Sequence, residues 1–200
     1  MDANRHERRR REIHDRILRA ALELFLAQGL DQTTIEQICE RADVANRTFF
    51  NHFPNRQDLV RALGARGFRD VHASLRGRAD QPVPVRLVGL FDDVADQLDG
   101  RGAAYRDVVG AMFAAAGTGV ERGSDLYATF LQLIKDGVAG GEVTDRHDPQ
   151  TLADVVVGGL MGGIVNWTAD ETYAIRSGLH DVAVALADLL TPARTLGSRP

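Results

Sequence analysis

The chain has 200 residues, of which 44% are hydrophobic, and it carries a formal net charge of −4. This length can bury one good core, or two small cores that share a helix. The acidic balance, with a pI near 5.9, excludes a protein that coats nucleic acid through bulk charge, so any DNA binding must come from a local patch. The single cysteine, Cys39, excludes an internal disulfide and a zinc site made of several cysteines.

The first stretch of the chain is basic. Residues 5–11 contain five arginines and one glutamate, whereas residues 1–60 balance ten arginines against ten acidic residues. Two interpretations stay open: a solvated, frayed terminus, or an arm over residues 1–11 that follows phosphates or enters the minor groove. The contacts of such an arm are Arg8, Arg9, Arg10 and Arg11. The charged start, with no apolar segment behind it, predicts a cytoplasmic protein without a signal peptide.

A long helix is predicted over residues 12–28 from apolar residues at helical spacing, with Gly29 as its C-cap. Thr34 and Gln37 then have the spacing of a capping box, which predicts a short helix over residues 34–42. Asp43 follows where the chain must turn sharply, and Asp tolerates a left-handed backbone. Cys39 lies on the apolar side of this helix, which favours a packed core thiol over a redox sensor.

A second short helix is predicted over residues 45–52, with Phe49 and Phe53 on one face and mostly hydrogen-bonding residues elsewhere. Pro54 ends it because proline lacks an N–H. Two helices of this length joined by a tight turn have the proportions of a helix-turn-helix, whose second helix fits the ~12 Å wide major groove of B-DNA. The sequence therefore predicts a helix-turn-helix DNA-binding domain over residues 12–54.

The rest of the chain is also predicted to be helical. A connector helix over residues 55–79 begins at a cap formed by Asn55 and Asp58, and residues 80–84 mark a domain boundary. Further helices, bounded by turn residues, are predicted over residues 85–98, 103–116, 126–138, 149–168 and 174–190, followed by a disordered tail over residues 191–200. The predicted fold class is all-α: an N-terminal helix-turn-helix three-helix domain, the connector, and a C-terminal helical bundle over residues 85–190.

The helix predicted over residues 149–168 is apolar on nearly every side and contains Gly158, Gly159, Gly162 and Gly163. Glycine costs a helix ~1 kcal/mol per residue relative to alanine, so four of them indicate close approach between helices. An all-round apolar helix in a small domain needs cover from its own core and from a partner. The longest apolar run, near residues 155–165, is shorter than the ~20 residues of a membrane helix and predicts no membrane span.

The helix-turn-helix stretch is similar to the DNA-binding domain of the TetR family of bacterial transcriptional regulators. The similarity covers about residues 13–60 and rests on Phe25, Gly29, Thr33-Thr34, Ile38, Ala42-Asp43-Val44, Thr48-Phe49-Phe50, His52-Phe53-Pro54, Arg56 and Leu59. Beyond this region the chain resembles the family only in length and helical character. Three residues depart from the family's pattern: Asp43 replaces the usual glycine, Ala45 a serine cap, and Phe50 a tyrosine.

The resemblance also implies which side chains contact DNA. Carried over residue by residue, these contacts are Thr34, Asn46, Arg47, Thr48, Phe50, Asn51, His52 and Arg56. Arg47 is the best candidate for a base contact because arginine can pair with guanine O6 and N7, while Asn46 or Asn51 can read adenine. Arg56, at the start of the connector, is predicted to bind a phosphate. The alternative for each of these residues is plain solvated surface.

By the same resemblance, the last two helices form a homodimer interface and the C-terminal domain holds a small-molecule pocket, whose occupancy shifts the spacing of the two DNA-binding domains. Two recognition helices ~34 Å apart read a palindrome. The predicted interface residues are Val156, Leu160, Gly163, Val182, Leu186 and Leu189. The residues able to line a pocket are Phe91, Tyr105, Met112, Phe113, Tyr127, Phe130, Ile134 and Trp167. The alternative for each of them is that it is an ordinary core residue that contacts no ligand.

The predicted function is sequence-specific transcription regulation: a repressor that binds a palindromic operator as a dimer and is released by a small, largely apolar effector. Activation of transcription stays open as the alternative to repression. One alternative is a helical ligand-binding or scaffold dimer without sequence-specific DNA binding. Another is an enzyme, which the lack of a hydrolase, P-loop, zincin or dinucleotide motif disfavours. No cofactor is predicted, and Asp145, His147 and Asp148 are read as a solvated loop rather than a metal site.

Overall fold

A computed structural model describes residues 2–67, 69–116, 122 and 124–192. Within these ranges the chain is entirely helical, with ten α-helices and no strand, which confirms the predicted fold class. The helices are α1 (Asp2–Gln28), α2 (Ile35–Ala42), α3 (Asn46–His52), α4 (Arg56–Gly67), α5 (Arg69–Gly77), α6 (Val83–Leu98), α7 (Ala103–Ala116), α8 (Asp125–Ala139), α9 (Pro149–Ala169) and α10 (Ile175–Leu190). Most of the predicted tail, residues 193–200, lies outside the described residues.

The chain divides into two compact units. The first consists of residues 1–67 and 101–118, and the second of residues 68–100 and 119–200. The segment predicted as one connector helix is therefore shared between the units, as α4 in the first and α5 in the second. Residue 68, between them, lies outside the described residues.

The first unit contains α7 as well as the helix-turn-helix. Val108 of α7 is fully buried in the same core as Phe25, Phe49 and Leu59. This differs from the predicted domain over residues 85–190, which included α7. The local sequence does not indicate the packing partner of α7. Its apolar residues show that the helix packs, but not against which core.

The arginine-rich segment is the beginning of α1, which starts at Asp2 rather than near residue 12. Two ion pairs at i,i+4 spacing join its turns, Arg8 Nε to Glu12 Oε1 at 3.4 Å and Arg11 Nε to Glu7 Oε1 at 3.8 Å. A helix is about 10 Å across and the minor groove about 6 Å wide, so the segment in this form does not fit the minor groove. Contact with phosphates and a solvated terminus both stay open for this segment.

In the second unit, α10 packs against α6 and α9, and α9 also packs against α8. Two glycines of α9 face inward and permit this close approach. A Cβ added to Gly163 would lie 2.4 Å from Leu179 Cδ2, and one added to Gly159 would lie 3.0 Å from Leu186 Cδ1. Gly158 and Gly162 face outward, with nothing within 4 Å of an added Cβ. The predicted packing role therefore holds within the unit for two of the four glycines.

The predicted interface residues need correction. Val156, Leu160, Gly163 and Leu186 are buried inside the protomer, and only Leu189, at 48% exposed, faces outward in full, with Val182 half-buried. The outward stripe of α9 consists of residues next to the predicted ones in the sequence: Val155, Gly158, Gly162 and Val165 are exposed. Because α9 is apolar on all sides, its composition does not separate the core-facing residues from the outward ones.

One helix in the described part of the chain, Pro149–Ala169, is long and apolar enough to cross a membrane by length and composition alone. It is longer than the apolar run on which the prediction of no span was based. Its buried residues, including Val156, Leu160 and Trp167, pack within the second unit, which is also the pattern of a core helix.

Candidate nucleic-acid interface

The predicted capping box at the start of α2 is confirmed. Thr34 Oγ1 accepts a hydrogen bond from the Gln37 backbone N–H at 3.2 Å, and Gln37 Oε1 accepts one from the Thr34 N–H at 2.9 Å. Gln28, at the end of α1, donates a further hydrogen bond to Gln37 Oε1 at 2.9 Å. Gln28, whose amide joins the end of α1 to the start of α2, was not predicted from the sequence.

The turn between α2 and α3 depends on Asp43. Its backbone is left-handed, with φ 52° and ψ 57°, and its N–H donates to the Glu40 carbonyl at 3.1 Å. This confirms the predicted turn, where glycine or Asp is tolerated. Arg16 of α1 donates from Nη2 to the Asp43 carbonyl oxygen at 3.2 Å, so the turn is also fastened to α1. Sequence reasoning missed Arg16 because the contact spans 27 positions of the chain.

The recognition helix α3 is anchored by two phenylalanines. Phe49 is fully buried and Phe53 is 2% exposed, with their ring centroids 5.8 Å apart. Phe50 is 48% exposed on the opposite side. Ala45 is the N-cap and forms no side-chain hydrogen bond, so α3 lacks the ~1 kcal/mol of a serine cap. The burial of the two rings thus fixes which face of α3 is outward.

The outward face of α3 carries the predicted base-reading side chains. Asn46, Arg47, Phe50 and Asn51 are exposed, and Thr48 and His52 are half-buried. Thr34 is exposed at the start of α2, and Arg8, Arg9, Arg10 and Arg11 are exposed along the first turns of α1. The donors and acceptors of Asn46, Arg47 and Asn51 are the types that pair with base edges.

His52 is the predicted contact with the most distinctive surroundings. Its ring centroid lies 5.9 Å from that of His14 on α1, and His14 stacks on Phe53 at 4.6 Å. Burial lowers the pKa of His52, and the nearby His14 and Arg10 lower it further. His14 was not among the predicted residues, although its position on the inner side of α1 could have indicated a contact with the helix-turn-helix.

Arg56 is used differently from the prediction. Its Nη1 donates to the Thr33 carbonyl oxygen and its Nη2 to the Leu30 carbonyl oxygen. The guanidinium also lies over the Phe25 ring, with Cζ 5.2 Å from the centroid. The predicted phosphate contact therefore competes with an internal role, in which Arg56 fastens the start of α4 to the loop after α1. The predicted cap beside it is confirmed, since the Asp58 N–H donates to Asn55 Oδ1 at 2.9 Å.

The residues predicted to line a ligand pocket fall in both units. Tyr105, Met112 and Phe113 are half-buried on α7 in the first unit. The members in the second unit are buried: Phe91, Tyr127, Phe130, Ile134 and Trp167.

Within the second unit, the Tyr127 hydroxyl donates to Asp154 Oδ1 at 2.7 Å. Arg122 Nη2 donates to the other carboxylate oxygen at 2.5 Å. Burial, together with the neighbouring carboxylate, raises the pKa of Tyr127. Asp154 thus accepts hydrogen bonds from two side chains of this unit, Tyr127 and Arg122.

A short polar helix held over an apolar core by a tight turn, with arginines along α1, defines a helix-turn-helix DNA-binding domain. The model of the bacterial regulatory proteins of the tetR family matches residues 17–63, which span this domain. Residues 17–63 thus form a DNA-binding domain of the TetR family of bacterial transcriptional regulators.

Two relatives extend the similarity beyond the matched domain. The HTH-type transcriptional regulator TcmR of Streptomyces glaucescens is 35% identical over 127 residues, which are 63% of this chain and 55% of TcmR. The chain thus matches little more than half the length of that relative. The HTH-type transcriptional repressor BepR of Brucella suis is 25% identical over 197 residues, covering 91% of this chain and 94% of BepR.

The fold is also found among solved structures. The crystal structure of Thermus thermophilus FadR, a TetR family transcriptional repressor in complex with lauroyl-CoA, superimposes with a TM-score of 0.71. The match covers 94% of this chain and 100% of FadR at 19% identity. At this identity the likeness concerns the fold.

Replacing Arg47 with Ala tests base reading by α3. We expect binding to a specific site to weaken by ~1 to 3 kcal/mol and selectivity to relax at one base pair, because a bidentate base contact is lost. Arg66→Ala, which removes the same charge at the far end of α4, is the matched control and should leave selectivity unchanged. Affinities for the specific and for a random duplex are compared; equal losses on both would show that Arg47 does not read a base.

Replacing Arg56 with Ala tests the internal role. We expect the free energy of unfolding to fall by ~1.5 to 3 kcal/mol, the range for hydrogen bonds made by a charged group. Urea denaturation measures the change. The control is Arg61→Ala, whose exposed pair with Asp58 contributes at most ~1 kcal/mol. Unchanged stability combined with weaker binding to every duplex would instead support the phosphate contact.

Proposed function

We propose that this protein is a sequence-specific transcriptional repressor that binds a palindromic operator as a homodimer and releases it when a small, largely apolar effector binds. The observation that carries the proposal is the division of α3: Phe49 and Phe53 are buried, whereas Arg47 and its polar neighbours are exposed. Membership of a family of DNA-binding regulators supports it, as does the repressor BepR, which matches over nearly the whole chain. Such a protein works in the cytoplasm, on bacterial DNA.

Dimerisation is proposed through the outward stripe of α9 with the exposed side of α10. Val155, Gly158, Gly162 and Val165 form an apolar line at helical spacing, and Val184 and Leu189 are exposed on α10. Glycines on an outward face allow two helices to approach closely, since no Cβ separates them. This surface replaces the interface residues predicted from the sequence, most of which lie in the protomer's core.

Effector binding is proposed for the second unit. Phe91, Phe130 and Ile134 are fully buried there and Trp167 nearly so, and these side chains would supply an apolar lining. The pairing of Tyr127 with Asp154 would add one polar point to orient a ligand. FadR, which shares this fold, binds an acyl-CoA, lauroyl-CoA.

Selection of genomic DNA fragments by the purified protein tests the proposal. Bound fragments are sequenced after selection at two salt concentrations. We expect a shared palindromic motif that still outcompetes random DNA at the higher salt, because base contacts resist salt better than phosphate contacts do. Enrichment without a motif would leave only charge-driven binding and would favour the scaffold alternative.

Replacing Gly162 with Leu tests the dimer surface. Nothing lies within 4 Å of a Cβ at this position, and leucine favours a helix over glycine by ~0.8 kcal/mol, so the protomer should stay folded. We expect the bulk to hold the partner helices apart and shift the mass at micromolar concentration from dimer to monomer, as measured by light scattering.

Gly77→Leu is the matched control. Gly77 ends α5 and also has nothing within 4 Å of an added Cβ, so this variant should keep the dimer mass. A monomeric wild-type protein, or an unchanged mass for Gly162→Leu, would contradict the proposed surface.

A further inference from the structure

The C-terminal end of the recognition helix faces α1, and imidazoles from both helices meet there. His52 of α3 and His14 of α1 have ring centroids 5.9 Å apart, with their planes tilted by 51°. The Phe53 ring supports both, at 4.6 Å from His14 in a stacked arrangement and at 6.4 Å from His52. His14 and His52 are both half-buried. The rings are therefore held by packing.

The charges that act on His52 are positive. Arg10 stands one turn before His14 on α1, and His14 and Arg10 are the described groups whose charge acts on His52. Two carboxylates on the same stretch of α1 are paired with other arginines, Glu12 with Arg8 and Glu7 with Arg11. Arg10, His14 and His52 thus converge from two helices at the edge of the surface that carries the base-reading residues.

Such a cluster suits an anion. A phosphate oxygen accepts hydrogen bonds from a guanidinium and from an imidazolium, and its charge offsets the repulsion among the three groups. A DNA duplex places phosphates beside any helix that enters its major groove. The base-reading side chains lie on the same helix as His52, which brings the cluster to the duplex backbone when α3 is docked.

We propose that Arg10, His14 and His52 form a phosphate site at the end of the recognition helix, and that a DNA backbone phosphate binds there together with a proton taken up by the imidazole pair. The inference deepens the proposed function and rests on it. It assigns a role to His14, and it makes operator affinity depend on pH.

The direction of the pH dependence follows from the charges. In the free protein, burial and the positive neighbours favour neutral His52, so its pKa lies below the ordinary value. A bound phosphate favours the protonated form and raises the pKa in the complex. DNA affinity is then independent of pH well above both pKa values and increases as the pH falls through the interval between them. Each pKa unit by which His52 differs between the complex and the free protein corresponds to about a tenfold gain in DNA affinity per recognition helix.

The test uses the full-length protein and the duplex obtained by fragment selection. Affinity is measured at constant ionic strength from about pH 8 down to about pH 5.5, the range in which histidine titrates. We expect binding to tighten by roughly tenfold or more as the pH falls. His52→Gln should lose most of this dependence and His14→Gln part of it. His180→Gln, on α10 in the second unit, removes an exposed imidazole elsewhere and should retain all of it.

A measurement on the wild-type protein avoids any effect of the substitutions on folding. Calorimetric titration with the duplex near pH 6.5, in two buffers of different ionisation enthalpy, gives the number of protons taken up. We expect a net uptake on binding. No proton uptake, or full pH dependence in His52→Gln, would overturn the phosphate site.

The outcomes separate this proposal from the proposed function. Specific binding with an affinity that is the same at every pH would refute the phosphate site and leave the regulator intact. If no motif is selected, the proposed function fails first. The same titration on a random duplex at low salt then still decides the phosphate site, since every duplex carries phosphates.

Discussion

The burial of Phe49 and Phe53 beneath a seven-residue helix is the constraint on which the DNA-binding surface depends. A helix this short is not stable alone in water, and it lacks a side-chain N-cap. Its position comes from the core below it and from the left-handed turn at Asp43, which Arg16 ties to α1. Because both rings point inward, Arg47 and its neighbours are presented to solvent as a rigid set, which base reading requires.

The charge distribution explains how an acidic chain can act on DNA. The net charge is −4, yet five arginines stand within residues 5–11, and they extend α1 as a helix beside the end of α3. In the proposed function, phosphate contacts made by such a stretch would position the protein without reading sequence, and the exposed face of α3 would supply the selectivity. The two tasks are thus placed on adjacent helices of one unit.

The sequence predicted the helix-turn-helix well because its signals are local. The capping box at Thr34, the turn at Asp43 and the stop at Pro54 each depend on residues within four positions of one another, and the structure reproduces them. The features that the sequence did not predict are contacts between distant residues. The core that receives α7, the outward face of the all-apolar α9, and the internal use of Arg56 depend on residues far apart in the chain. Periodicity identifies that a helix packs, but it does not identify its neighbour.

In the proposed function, two copies of this recognition helix read one duplex together. A hydroxyl-radical footprint of the purified protein on a selected fragment tests this. We expect two protected patches related by two-fold symmetry on one face of the duplex, with centres about one helical turn, ~34 Å, or a multiple of it apart. A single patch, or uniform protection without symmetry, would contradict it.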